Sequence, residues 1–349
     1  MALGILDVGT NSIHLLIGML DRRTFHVILT QRDLARLGEG GLAMNRLTPV
    51  AMRRATRVLR RYAATLTRYG VDHVDAVATS AVRDASNGQA FVRHVRATLR
   101  LPLRVISGRE EARLIALGVL QARRTRDAAV IVTIGGGSAQ VICGDAARLR
   151  YVTSVPLGAA RLAQRFIRHD PPQREEIDAL GRHVRRVWAP VARAVRRHRW
   201  RHALGSSATI SQCMQAAAQP RHWAMGGARE ARRRHDRWPL GHRLKVTQSS
   251  LRRFTGWLAT STAKERARLP GLDPRREALA LPTSLALLIW MERCRVPMLE
   301  YAPGSLREGL IVTHVMRQCR RGSTSGAPLV RWSRRAGVSL GEMTPQDVT

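Results

Sequence analysis

The sequence predicts an α/β protein of two similar lobes with a cleft between them. Three observations predict it. A strand, glycine turn, strand unit occurs twice, once around Gly9 and again around Gly135. Short apolar runs alternate with amphipathic stretches after each unit. The chain has 349 residues, 44% of them hydrophobic, which suits two domains better than one.

The elements follow in order. "LGILDVGTNSIHLLIGML" reads as strand, turn, strand, and "FHVILTQRDLARL" as a third strand. A helix is predicted from Thr48 to about Tyr69, with Thr48 as N-cap and Pro49 at the first helical position. "HVDAVATSAV" is a buried strand. "ASNGQAFVRHVRATLR" is a helix with Asn87 as its N-cap, "LRVIS" a strand, and "REEARLIALGVLQA" a helix. The pattern then restarts. "AAVIVTIGGGSAQVICG" is strand, turn, strand, and "LRYVTSVPLG" a third strand. Helices follow, then the strand "RHALGSS", more helices, the late strand "MLEYAPG" and the closing helix "LREGLIVTHVMRQ". "DVGTNS" (7–12) and "TIGGGS" (133–138) share a frame, with Gly third and Ser sixth. A repeated unit indicates duplication. The expected division is a first lobe of residues 1–120, completed by the final helix 306–320, and a second lobe of 121–305. Residues 321–349 lack periodicity and are expected to be a mobile appendage.

Composition excludes several classes. No run of eighteen apolar residues could span a bilayer. The N-terminus lacks the basic start of a signal peptide, and Asp7 and Asn11 interrupt it. Cys143, Cys213, Cys294 and Cys319 have no metal-ligand spacing, so a reducing, cytoplasmic setting is expected. The net charge is +34, almost all of it arginine, since Lys245 and Lys264 are the only lysines. Such a charge attracts polyanions. An Arg-rich, Lys-poor chain is also what a GC-rich genome encodes, so both readings stand. The charge peaks in "GRHVRRVWAPVARAVRRHRWRH" and "RHWAMGGAREARRRHDRW", two basic insertions of the second lobe. No helix-turn-helix, zinc-finger or RNP pattern appears, so specific nucleic-acid binding is not expected.

The chemistry-bearing residues sit at turns. Gly9 permits a tight turn whose Thr10, Asn11 and Ser12 can surround phosphate oxygens, and Gly135, Gly136, Gly137 and Ser138 form its counterpart. Gly205, Ser206 and Ser207 open a helix and offer a further anion site. Arg83, between a strand end and a helix start, provides a planar fork for phosphate. Glu110 and Glu111 lie in the first turn of a helix, where acids also simply suit the dipole. His14, beside the first turn, is expected to point into the lobe interior.

Six segments together resemble the exopolyphosphatase/guanosine pentaphosphate phosphatase family of the actin-like ATPase and sugar kinase superfamily. They are "DVGTNS", "TSAVRDASN", "ISGREEARL", "IGGGSAQV", "SVPLGAARL" and "LREGL", with "ALGSSAT" as a seventh, and they cover residues 3–315. The resemblance implies two ribonuclease H-like (actin-like ATPase) lobes. It implies a phosphatase that hydrolyses the terminal phosphoanhydride of inorganic polyphosphate or guanosine pentaphosphate. It implies that Glu111 is the base that activates water, that Arg83 helps hold the terminal phosphate, and that Mg2+ is held with help from Asp7. It leaves a homodimer open. Arg307 and Glu308 are expected to be a structural pair that docks the last helix across the lobes. The sequence departs from the family at Thr133 and Gln140, where acids that support the metal are usual. It departs again at Ala278 and Ser305. Weak Mg2+ binding is therefore expected. The alternative is a protein of the same fold that binds polyphosphate or an alarmone and is catalytically weakened or inactive.

Overall fold

The computed structural model describes residues 1–21, 24–123, 127–220, 223, 244–321 and 331–334. The basic stretch 229–237 lies outside the described residues. The chain divides into two compact units, Met1–Gln121 with Leu306–Thr349, and Ala122–Ser305.

The first unit is built on β1 (Ala2–Val8), β2 (Ile13–Asp21) and β3 (Thr24–Asp33), an antiparallel meander. The helix α1 (Pro49–Arg68) follows. The Oγ1 of Thr48 accepts from the N–H of Ala51 at 3.2 Å, and proline occupies the first turn, as the sequence predicts. Then come β4 (His73–Ala78), α2 (Ser80–Arg83), α3 (Gly88–Leu99), β5 (Leu103–Val105) and α4 (Gly108–Arg123). β4 lies parallel to β1, and β5 parallel to β4. Asn87 does not cap α3 with its side chain. Instead it clamps the backbone of Leu47, accepting from its N–H at 2.8 Å and donating to its carbonyl at 2.9 Å.

The second unit repeats the plan. β6 (Ala129–Ile134), β7 (Ala139–Gly144) and β8 (Leu149–Val155) form the meander. α5 (Ala159–Phe166) and α6 (Arg174–Val195) lead to β9 (His202–Ser206), parallel to β6. α7 (Ala208–Ala217), β10 (Lys245–Thr247), α8 (Gln248–Thr260), α9 (Ala263–Arg266) and α10 (Ala280–Cys294) come next. β11 (Met298–Tyr301) then lies parallel to β9. α10 buries residues on all sides, as a helix apolar around its whole circumference must. Trp188 of α6 is fully buried and donates its indole N–H to the carbonyl of Ala286 at 3.0 Å. Ala278 is exposed on a short 3-10 turn before α10.

Strand order makes the duplication explicit. The first sheet runs β12-β3-β2-β1-β4-β5 and the second β10-β11-β9-β6-β7-β8. The first sheet without β12, and the second read backwards without β10, show one topology. The closing helix α11 (Leu306–Arg321) returns to the first unit. One expectation is corrected. The segment after Arg321 contributes β12 (Arg331–Arg334), which pairs in parallel with the free edge of β3, so part of the expected appendage is a sixth strand. An exposed edge presents unpaired N–H and C=O groups, and a strand with little sequence signal of its own can be recruited to it.

Candidate functional site

The two glycine hairpins are closed in the same way. The N–H of Gly9 donates to the carbonyl of Ser12 at 3.1 Å, and the N–H of Gly135 to that of Ser138 at 2.9 Å. Each turn then surrenders its carbonyls to a neighbouring segment. Thr10 and Asn11 accept from the N–H groups of Gly38 and Arg36 at 2.9 and 2.8 Å. Gly135 accepts from Ala159 at 2.8 Å, and Gly136 from Ala160 and Arg161 at 2.9 and 3.1 Å. Gly137 accepts from the Nε of Arg161 at 2.9 Å. In a trans peptide the N–H of residue i+1 points opposite to the carbonyl of residue i. The N–H groups of Asn11 and Ser12, and of Gly136, Gly137 and Ser138, are therefore turned the other way. Runs of like-directed N–H groups are anion-binding concavities. The close approach in the second hairpin requires glycine. A Cβ on Gly158 would lie 2.2 Å from the carbonyl carbon of Gly137.

Cross-strand register aligns the two hairpins residue by residue. Asp7 lies opposite His14, and Thr133 opposite Gln140. In each hairpin the serine hydroxyl is held by the side chain two residues on. Ser12 Oγ lies 3.0 Å from His14 Nε2. Gln140 Nε2 donates to Ser138 Oγ at 2.8 Å and to Ser154 Oγ at 3.2 Å. Because Ser138 Oγ accepts from the amide, its own proton is free to point elsewhere. His14 is thus half-buried beside the turn rather than sunk in the lobe interior, a correction to the sequence reading. Ser12 and His14 are two apart on an extended segment, so they share a face. That spacing was the available signal.

Glu111 is buried in the first turn of α4, 8% exposed. Its Oε2 accepts from Arg83 Nη1 at 2.8 Å. Burial pushes its carboxyl up to about 7. Arg83 opposes the rise by charge and hydrogen bond, and the carboxylates of Asp7 and Asp84 add to it. Arg83 also donates to the carbonyl of Ile106 at 3.3 Å and approaches Asp84 at 3.4 Å. Its guanidinium is therefore spent mainly on protein acids, not held open as a phosphate fork, and this revises its expected role. Glu110 turns outward to Arg104 at 2.8 Å. Asp7, half-buried near the end of β1, is pushed up to about 6 by desolvation, with Arg307 opposing and Glu308 adding to the shift. Arg307 and Glu308 thus act on Asp7 within the first unit, a finding the sequence did not anticipate. Gly309 explains the rest of that motif. A Cβ there would sit 1.9 Å from the carbonyl oxygen of Leu114, so α11 can cross α4 only with glycine.

In the third expected phosphate turn the two hydroxyls are engaged by the protein itself. Ser206 Oγ donates to the carbonyl of Gly304 at 2.6 Å. Ser207 Oγ donates to the carbonyl of Ile134 at 3.0 Å and accepts from the N–H of Ile210 at 3.2 Å, capping α7. Gly205 lies inside β9, where a Cβ would meet Leu299 at 2.8 Å. Ser206 and Ser207 thus tie β9 to neighbouring segments of the second unit through their hydroxyls.

Among the described residues no cluster of three or more His, Cys, Asp or Glu could hold a metal. The buried Thr133 and Gln140 present a hydroxyl and an amide where two carboxylates would be needed, and the amide nitrogen is directed at serine oxygens. Desolvation raises the Asp7 carboxyl to about 6, above the usual carboxylate range.

Comparison with known proteins agrees with this architecture. The family model described as "Ppx/GppA phosphatase family" matches residues 16–318. An exopolyphosphatase from Cytophaga hutchinsonii is similar at 26% identity and a TM-score of 0.79, over 91% of this chain and 98% of that one. The Aquifex aeolicus member of the Ppx/GppA family superposes with a TM-score of 0.72 at 23% identity, over 93% and 99%. Both share the two-lobed actin-like fold. With a match over residues 16–318, most of the chain, this chain belongs to the Ppx/GppA phosphatase family.

Proposed function

We propose that the protein hydrolyses the terminal phosphoanhydride of inorganic polyphosphate. The observation that carries the reading is Glu111, a buried carboxylate held near neutrality and paired with a fixed guanidinium. A general base works best when its pKa lies near the working pH. Each hairpin, taken within its own unit, offers phosphate oxygens its N–H groups, with the hydroxyls of Thr10 and Ser12 in the first and of Ser138 in the second. Glu111 takes a proton from water as its oxygen attacks the terminal phosphorus. The bond from that phosphorus to the bridging oxygen breaks, releasing phosphate and a chain one unit shorter. Arg83 is a positioning residue. It orients the Glu111 carboxylate and keeps part of it ionised.

Family members generally depend on a divalent metal, which neutralises phosphate charge when bound. The described residues form no cage of three or more His, Cys, Asp or Glu for one. That same departure favours a second reading, in which the protein binds the chain and hydrolyses nothing. Guanosine pentaphosphate presents the same terminal bond. One experiment sorts these readings: phosphate release from polyphosphate and from guanosine pentaphosphate by the native protein and by Glu111→Gln. Release that falls at least 100-fold in the variant, with polyphosphate still bound, supports the hydrolase. Equal release by both proteins overturns the role of Glu111. Binding without release by the native protein supports the second reading.

A further inference from the structure

The outer face of α6 carries a run of arginines that the site does not use. Arg182, Arg185, Arg186, Arg193 and Arg197 are all exposed. At 100° per residue they fall, with Arg196, within an arc of roughly 120° and along about 22 Å of axis. The last two occupy the turn that follows the helix. The opposite face is apolar and packed, with Leu180, Val184, Trp188, Val191 and Val195 buried. None of the five arginines meets an acid among the described residues, whereas Arg174 at the start of the helix reaches Asp178. The sequence has no acidic residue between Asp178 and Glu230. The field is felt locally. Burial first, then the charges of Arg165 and Arg186, hold His183 below its ordinary value.

We infer that this face of α6 is a secondary binding site for linear polyphosphate, holding part of the chain away from the reacting end. The inference deepens the proposed function, but it concerns binding and not hydrolysis. Guanidinium groups in a row match a flexible polymer with one charge per unit. The face suits a base-free chain better than single-stranded RNA. Proteins that track single strands add aromatic platforms for base stacking. Trp188, the aromatic of this helix, is fully buried on its other side. The face also carries no membrane anchor, since among the described residues the exposed large hydrophobic ones are Met1, Met19, Met44, Val50 and Met298. α1 offers a contrast. There Arg54 closes on Glu39 and Arg61 on Asp33, each at 2.7 Å, so acids break up the basic face.

The test is binding of end-labelled polyphosphate of about a hundred units, followed by fluorescence anisotropy from 50 to 300 mM salt. The proteins are the native chain, a variant with Arg182, Arg185, Arg186, Arg193 and Arg197 changed to Gln, and a control with Arg53, Arg57 and Arg60 of α1 changed to Gln. Each phosphate contact adds about 0.7 to the salt slope of a single-stranded polyanion. The α6 variant is expected to lose at least tenfold in affinity near 100 mM salt and to flatten that slope by about two to three. Its melting temperature should not fall, since removing unpaired positive charge relieves repulsion, and the α1 control should lose less than threefold in affinity. Retained affinity and slope in the α6 variant, or an equal loss in the control, would overturn the inference and leave the charge as composition alone. Tighter binding of mixed-sequence RNA of matched charge, lost in the same variant, would overturn it in favour of a nucleic-acid face. A native protein that binds through α6 yet releases no phosphate would overturn the hydrolase reading and keep this one.

Discussion

The side chains that decide the chemistry are Glu111, Arg83, Thr133 and Gln140. A carboxyl whose folded value lies near 7 has a titration consequence. The activity of the native protein should rise with pH through about 7 as Glu111 loses its proton. Arg83 pulls that value down, so Arg83→Gln should move the acid limb of kcat/KM to higher pH. An unmoved limb in that variant would remove Arg83 from the site. The same shift bears on stability. The folded value lies above the ordinary 4.5, so the native state holds the proton more tightly than the unfolded chain. The associated stability is complete below about 4.5 and is lost as pH rises through 7. Glu111→Gln escapes that loss, which is on the order of 3 kcal/mol at full extent. Its melting temperature should exceed the native one at pH 8, and the gap should close by pH 4.5. Thr133 and Gln140 face each other across β6 and β7, so their side chains share one face of the sheet. Thr133→Asp with Gln140→Glu would set two buried carboxylates together. That variant should melt at least 5 °C below the native protein at pH 8 and regain the difference in millimolar Mg2+. Thermal shift checks this, and an equally large Mg2+ shift in the native protein would show that other groups hold the ion.

At the scale of elements, glycine sets how closely segments pack. Gly309→Ala would drive a methyl group into the carbonyl of Leu114. Separating α11 from α4 should cost about 1–3 kcal/mol, read from urea unfolding. Gly158→Ala strikes the second hairpin instead, since its methyl group would meet the Gly137 backbone. It should weaken polyphosphate binding as well as stability, because the hairpin must shift and turn its N–H groups off target. A variant with normal stability and normal binding would show that the hairpin is not the anion cradle. Much of this level was legible in the sequence. Thr48 and Pro49 announced α1, and the two glycine frames announced the hairpins. Asn87 was misread because an Asn before a helix has two uses. Only the loop folding back over Leu47 selects between capping and clamping.

For the whole molecule the dominant quantity is a net charge of +34. Such a charge repels itself and lowers the stability of the compact state. Raising salt from 0.02 to 0.5 M shortens the screening length from tens of ångströms to a few. The melting temperature should therefore rise by several degrees, and by more when polyphosphate is added, since a polyanion neutralises the charge directly. A melting temperature that falls with salt would mean that ion pairs such as Arg123–Glu300 outweigh the repulsion. The strand order common to the two sheets places this charge on two copies of one fold.

By itself the sequence determined the duplication, the order of most strands and helices though not β10 or β12, and the two hairpins with their flanking glycines. These are local matters of periodicity and turn chemistry, and a few neighbouring residues suffice to express them. Only the tertiary structure decided which groups the hairpins keep free. The carbonyls of Gly135 and Gly136 turn toward α5 because segments more than twenty residues away supply the donors. Arg83 reaches Glu111 across 28 residues, and Ser206 reaches Gly304 across 98. A hydroxyl or guanidinium serves a ligand or the fold according to what stands within about 3 Å of it. That neighbourhood exists only after distant parts of the chain have packed.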